Sequence, residues 1–162
     1  MSSMSLAEVA EELMGRALVF YMATVDEHGF PHVRAMENLR CSKKFPHPAK
    51  VIAENEPDPL VSYISTNTSS EKFRHVKANP TVALYYCVPE EYKGVMHQGK
   101  AEVMGDTEFK KKLWVEGWEV YYPQGYTDPD FTLLRVKPTL LKAWYDFQTH
   151  QQAIDEGRIR FL

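Results

Sequence analysis

The stretch YISTNTSSEKFRHVKANPTVALYY, Tyr63 to Tyr86, decides how the whole chain reads. LVSYIST, Leu60 to Thr66, is rich in β-branched and aromatic residues and predicts a buried strand. Phe73, Val76 and Ala78 then fall at helical spacing. They predict a short helix halted at Asn79-Pro80, since the residue before a proline is pushed out of the α region. TVALYYCV, Thr81 to Val88, returns to strand. The turn between first strand and helix carries Ser65, Thr66, Asn67, Thr68, Ser69 and Ser70, and Lys72 lies just inside the helix. One reading is a helix cap: Thr68-Ser69-Ser70-Glu71 has the spacing of a capping box, Thr68 bonding the Glu71 amide, worth about 1 kcal/mol. The other is a phosphate cradle, because a helix N-terminus offers unpaired N–H groups and partial positive charge to an anion. A lysine in the first turn opposes the helix dipole but suits a bound phosphate. These residues alone leave both readings open. Ser69 to Lys72 also forms a Ser-x-x-Lys, but no Ser-Asp-Asn or Lys-Thr-Gly follows it.

Outward from this stretch, Ser5 to Glu8 forms a capping box. Leu6, Val9, Ala10, Leu13 and Met14 follow on one helical face, with Gly15 as the expected stop. ALVFYMATVD (Ala17 to Asp26) and PHVRAMENLR (Pro31 to Arg40) read as a hairpin about Glu27-His28-Gly29. Pro46, Pro48, Pro57 and Pro59 predict loop from Cys41 to Pro59, with at most a short strand near Val51 and Ile52. VMHQGKAEVMG (Val95 to Gly105) is a further strand. Asp106 caps a predicted helix that turns Phe109, Leu113, Trp114 and Trp118 inward, with Tyr121 and Tyr122 also core candidates. FTLLRVKP and LLKAWYDF close the sheet as two more strands, and Asp128 and Asp130 around Pro129 read as a turn. Six or seven strands, mostly in antiparallel runs, with three helices, point to a small closed barrel under helical covers.

The 162 residues fit one domain, 1–162. A net charge of −3 gives no field to attract nucleic acid. Cys41 and Cys87 lie in no metal-ligand spacing, so they read as reduced thiols of a cytoplasmic protein with no metal site. Neither a signal peptide nor a membrane span is expected.

MATVDEHGFPHVRAM (Met22 to Met36), the stretch from Tyr63 to Tyr86, GKAEVMGD (Gly99 to Asp106) and YTDPDFTLLRVKP (Tyr126 to Pro138) together resemble the pyridoxamine 5′-phosphate oxidase-like family, in particular its short general-stress-protein branch. The resemblance implies a mainly β fold with helices: a six-stranded antiparallel split β-barrel of the FMN-binding type. It further implies a homodimer, with FMN in a groove at each subunit interface and a small-molecule substrate. Arg34, Ala35 and Met36 match the family's Arg-x-Met segment beside the flavin, Arg34 as a phosphate contact. Ser65 and Thr66 match the strand end facing the ring and ribityl chain, and Ser70 with Lys72 the Ser-x-Lys pair on the phosphate. This tilts the opening question toward the cradle. Glu71 stands where the oxidase has an arginine, Leu39 where it has a lysine, and Gly94 where it has a glutamine supplied across the dimer. These departures thin the cationic cage. No counterpart of the oxidase's substrate-binding C-terminal arginine is apparent, so pyridoxamine phosphate is not the expected substrate. The catalytic residues are unknown. Haem-handling relatives that use a histidine make another flavin or haem the alternative cofactor, with His97 as the ligand candidate, in a non-catalytic carrier, store or stress sensor.

Overall fold

The computed structural model describes residues 4–154. Its frame is one antiparallel sheet of seven strands. β1 (Val19–Val25) and β2 (Pro31–Glu37) form the hairpin, turned by Asp26 and by Gly29 at φ 85°. β3 is Ser62–Asn67, β4 Thr81–Val88, β5 Lys93–Val103, β6 Phe131–Tyr145 and β7 Gln148–Ala153. The order across the sheet is β2-β1-β4-β5-β6-β3, and β7 pairs with β6. The six strands of this path curl into a split barrel. β2 and β3, its two ends, meet without pairing and form the lips of the split.

Period-two alternation sets the barrel interior. Phe20, Met22, Leu84, Tyr86, Val95 and Leu141 face inward, where Leu13 and Met14 of α1 (Leu6–Arg16) pack on them. Burying each such side chain contributes roughly 1.5–3 kcal/mol. α1 begins at the expected capping box, the Glu8 amide donating to Ser5 Oγ at 3.3 Å and the Ser5 amide to Glu8 Oε2 at 2.7 Å. It runs past Gly15 and ends at Ala17. A second core lies outside the barrel wall, where Tyr63, Phe131 and Leu133 meet Ile52, Phe109 and Leu113.

Four elements depart from expectation. The Cys41–Pro59 loop contains a helix, α2 (Pro46–Asn55). Pro46 and Pro48 occupy its first turn, where a missing N–H costs nothing, so they start the helix that Val51 and Ile52 then anchor in the second core. α4 (Thr107–Leu113) is capped by Asp106 as expected, but Trp118 sits on a separate 3-10 turn, still buried against Phe131. FTLLRVKP and LLKAWYDF are one strand, β6, that runs through Pro138 because its ladder with β5 shifts register there, between Gln98 and Gly99. β7 went unread altogether. α3 (Glu71–Ala78) stands where predicted. No described helix is long and apolar enough to cross a membrane.

Candidate functional site

The hydroxyl-rich turn before α3 divides its work. Ser70, not Thr68, is the N-cap: its Oγ accepts from the Phe73 amide at 3.4 Å and donates to the Asn67 carbonyl at 2.7 Å. Thr68 instead donates to the Pro129 carbonyl at 3.0 Å and shares a 2.6 Å bond with Thr132 Oγ1. Asp130 accepts from the Ser69 amide at 2.7 Å, from Ser69 Oγ at 3.1 Å and from Asn67 Nδ2 at 2.7 Å. These bonds, Asn67 first, hold the Asp130 carboxyl below its ordinary range. Two of the surplus hydroxyls, Thr68 and Ser69, therefore fasten the turn to the head of β6, an answer neither sequence reading contained.

What remains at the split is a pair of cations. Arg34 comes from β2 and Lys72 from the first turn of α3, close enough for Arg34 to depress the Lys72 pKa, although burial is the larger cause. Burial also lowers the Arg34 pKa. Arg34 Nη1 donates to the Met22 carbonyl at 3.1 Å and to Thr24 Oγ1 at 2.8 Å. Among the described residues neither cation has a carboxylate within salt-bridge distance; Glu71, the nearby acid, lies 3.6 Å from Arg74 and 3.9 Å from His75. Two half-buried cations facing each other across an open split repel each other, an arrangement that an anion relieves.

Met36 shares the inward face of β2 with Arg34 and packs against the barrel core. On β3, Thr66 is buried with its Oγ1 3.4 Å from Ser70 Oγ. Alternation sends Ala35 and Ser65 to the opposite faces of their strands, so they offer this side of the split only backbone. Arg34, Met36, Thr66, Ser70 and Lys72 thus border one opening, with the N-terminus of α3 beside them.

Sequence reading missed a polar group behind Arg34. Thr24 Oγ1, fully buried, lies 3.0 Å from His75 Nδ1; the His75 ring lies 4.8 Å from that of His32, and His32 Nε2 lies 2.9 Å from Asp26 Oδ2. Asp26 is held down to about 2, chiefly by the His32 bond and then by the Phe30 amide. The signal was a single hydroxyl in an otherwise apolar inward series, Phe20, Met22, Thr24.

His97 does not line this site. It sits inward on β5 with no exposure, and neither ring nitrogen has a partner among the described residues. Both nitrogens are enclosed in the barrel core, apart from the opening that Arg34 and Lys72 border. On the outer face of the sheet, opposite Arg34, an apolar cavity of about 400 Å³ is lined by Tyr21, Val33, Tyr85, Met96, Lys142 and Trp144. Gly94 is part of its floor, where a methyl group would overlap the Tyr85 phenol.

Residues 6–145 match the family described as Pyridoxamine 5'-phosphate oxidase. The chain belongs to the pyridoxamine 5′-phosphate oxidase-like family. Among solved structures it is similar to a Clostridium acetobutylicum protein related to general stress protein 26 of B. subtilis, of the pyridoxinephosphate oxidase family, with a TM-score of 0.72, 28% identity and 94% and 99% of the two chains covered. General Stress Protein 26 from Bacillus anthracis str. Sterne shares the fold of this family member at a TM-score of 0.66 and 18% identity, over 92% and 100% of the chains. So does a heme binding protein from Mycobacterium smegmatis, at 0.67 and 13%, over 94% of this chain and 60% of that one. No curated protein matches the chain.

Proposed function

We propose that this split-barrel domain is an FMN-binding oxidoreductase acting on an unidentified small molecule. The observation that carries the reading is the Arg34–Lys72 pair, two cations brought together with no carboxylate bonded to either among the described residues. A terminal phosphate would receive charge-assisted hydrogen bonds from both side chains and unpaired amides from the start of α3. Ser70 Oγ, now donating to Asn67, would rotate to join them. Met36 and Thr66, on the two lips, would border the ribityl chain and ring. When bound, the flavin would supply hydride transfer at its ring. The chain's part is to hold the phosphate and keep the ring against an open substrate face.

The domain would form a homodimer through the outer face of the sheet, as the family resemblance implies. The outer face of the sheet exposes Val33 at 65%, Trp144 at 46%, Tyr85 at 42% and Tyr21 at 40%. Among the described residues, Lys142 is the one charged residue lining the cavity between them, so a largely apolar face is presented to its own copy about a two-fold axis. The homodimer would work in the cytoplasm.

The deciding experiment is an absorption spectrum of freshly purified protein, followed by titration of stripped protein with FMN and riboflavin. A flavin spectrum and a preference for FMN that Lys72→Ala reduces by about 10- to 150-fold support the reading, the range expected for one charge-assisted bond of about 1.5–3 kcal/mol. A haem spectrum, or equal binding of the two flavins, refutes it.

A further inference from the structure

Arg34 is held at the split by a relay that no family resemblance supplies. Arginine only donates, so Thr24 Oγ1, 2.8 Å from Arg34 Nη1, must accept. The single Thr24 proton is then free to point at His75 Nδ1, 3.0 Å away. With Nδ1 accepting, the neutral imidazole carries its proton on Nε2, which faces Glu71 Oε1 at 3.9 Å. Thr24 has no exposure and His75 only 5%, so neither partner is replaced by solvent. His32, held by Asp26 at 2.9 Å, closes the other side of the His75 ring.

We propose that Thr24 and His75 are positioning residues for anion binding: His75 orients the Thr24 hydroxyl, and Thr24 fixes the Arg34 guanidinium beside Lys72. The inference rests on the reading of the split as a phosphate site, and adds why that site keeps its charge. Satisfied by a neutral carbonyl and a neutral hydroxyl, Arg34 is immobilised without being neutralised. A carboxylate in the place of Thr24 would hold it equally well and cancel the charge that an anion needs. Among the described residues, Glu71 is the acid whose charge reaches Arg34, and it lies 3.6 Å from Arg74 rather than within salt-bridge distance of the cation pair.

The test compares Thr24→Val, Thr24→Ser and His75→Phe in the full chain. FMN and riboflavin titrations are read beside NMR relaxation of the Arg34 side chain without ligand. Thr24→Val is expected to weaken FMN at least about tenfold, the worth of one hydrogen bond to a charged group, His75→Phe to weaken it by a smaller factor, and both to leave riboflavin unchanged. Thr24→Ser restores FMN affinity. Without ligand, Arg34 becomes more mobile in Thr24→Val and regains its order in Thr24→Ser. Equal Arg34 order in all variants overturns the relay, as does an equal loss of FMN and riboflavin. If the unmodified protein does not prefer FMN over riboflavin, the cofactor reading fails, while Arg34 order still decides for or against the relay.

Discussion

Acidification should loosen the barrel through His97. Its ring crosses the core in the row Arg34, Met22, Leu84, His97, Leu141, one residue from each of β2, β1, β4, β5 and β6. The Tyr86 ring lies 5.3 Å away, and no carboxylate bonds either nitrogen among the described residues. Burial, with a smaller contribution from Arg40, pushes the His97 pKa from 6.5 down to about 4. A histidine whose pKa is depressed on folding binds its proton more readily when unfolded, so stability is full above pH 6.5 and falls as the pH drops toward 4. The total loss is about 3 kcal/mol, a large part of the ~5–15 kcal/mol that holds a domain folded. Carboxylates overlap only the acid end of this window. Asp26 and Glu91, held down to about 2 by His32 first and by Arg16 first respectively, begin to lose their contributions as the pH falls through their unfolded values of 3.8 and 4.5, so the comparison with a His97 variant isolates the histidine. Urea unfolding at pH 8, 6.5, 5.5 and 4.5 should show the fall in wild type and a much flatter profile in His97→Met. The variant should also gain stability at pH 8, because leaving a buried polar group unpaired costs about 1–3 kcal/mol. Parallel profiles for the two proteins over pH 6.5 to 4.5 would refute the reasoning.

Ser70→Ala should cost about 1 kcal/mol of stability in apo protein, measured by urea denaturation, since its hydroxyl caps α3. Thr68→Val should also destabilise the fold by about 1 kcal/mol, because its bonds go to Pro129 and Thr132. Val33→Asp should convert a dimer to monomer in light scattering while far-UV dichroism stays unchanged; a wild-type monomer at micromolar concentration would remove the proposed interface. Gly99→Ala should destabilise by about 1–3 kcal/mol, seen as a lower melting temperature. The added carbon would sit 2.5 Å from the Lys137 backbone oxygen, which cannot move without breaking the β5–β6 register shift.

Strands and helices with a clear period were legible because local pattern and burial agree in them. α1, β1, β4 and α3 each place their apolar residues on one face, and each lies within a few residues of where its pattern puts it. α2 was hidden by treating Pro46 and Pro48 as breakers, although proline in a first turn is a start signal, and Val51-Ile52 after it was the apolar step of a helix. β7 was unreadable for another reason. QTHQQA has no apolar alternation, and it is a strand because the left-handed Asp146 and Phe147 fold it back onto β6, a long-range pairing that no local propensity encodes.

The same distinction runs through the site. Residue types suited to a phosphate were visible in Arg34, Ser70 and Lys72, but which hydroxyl caps and which one braces depended on Asp130 and Thr132, some sixty residues away. A capping box read from spacing alone fixed the helix start two residues early, at Thr68. In the fold, Asp130 engages the Ser69 amide and hydroxyl and Thr132 engages Thr68, leaving Ser70 as the first hydroxyl free to turn back on Phe73. Tertiary bonds thus set the helix start, and with it the position of Lys72 in the first turn. Had Thr68 been the cap, Lys72 would lie half a turn deeper, on a different side of α3 from Arg34. The turn that looked like a choice between cap and cradle therefore links the two: the bonds from β6 choose the cap, and the cap aims the lysine.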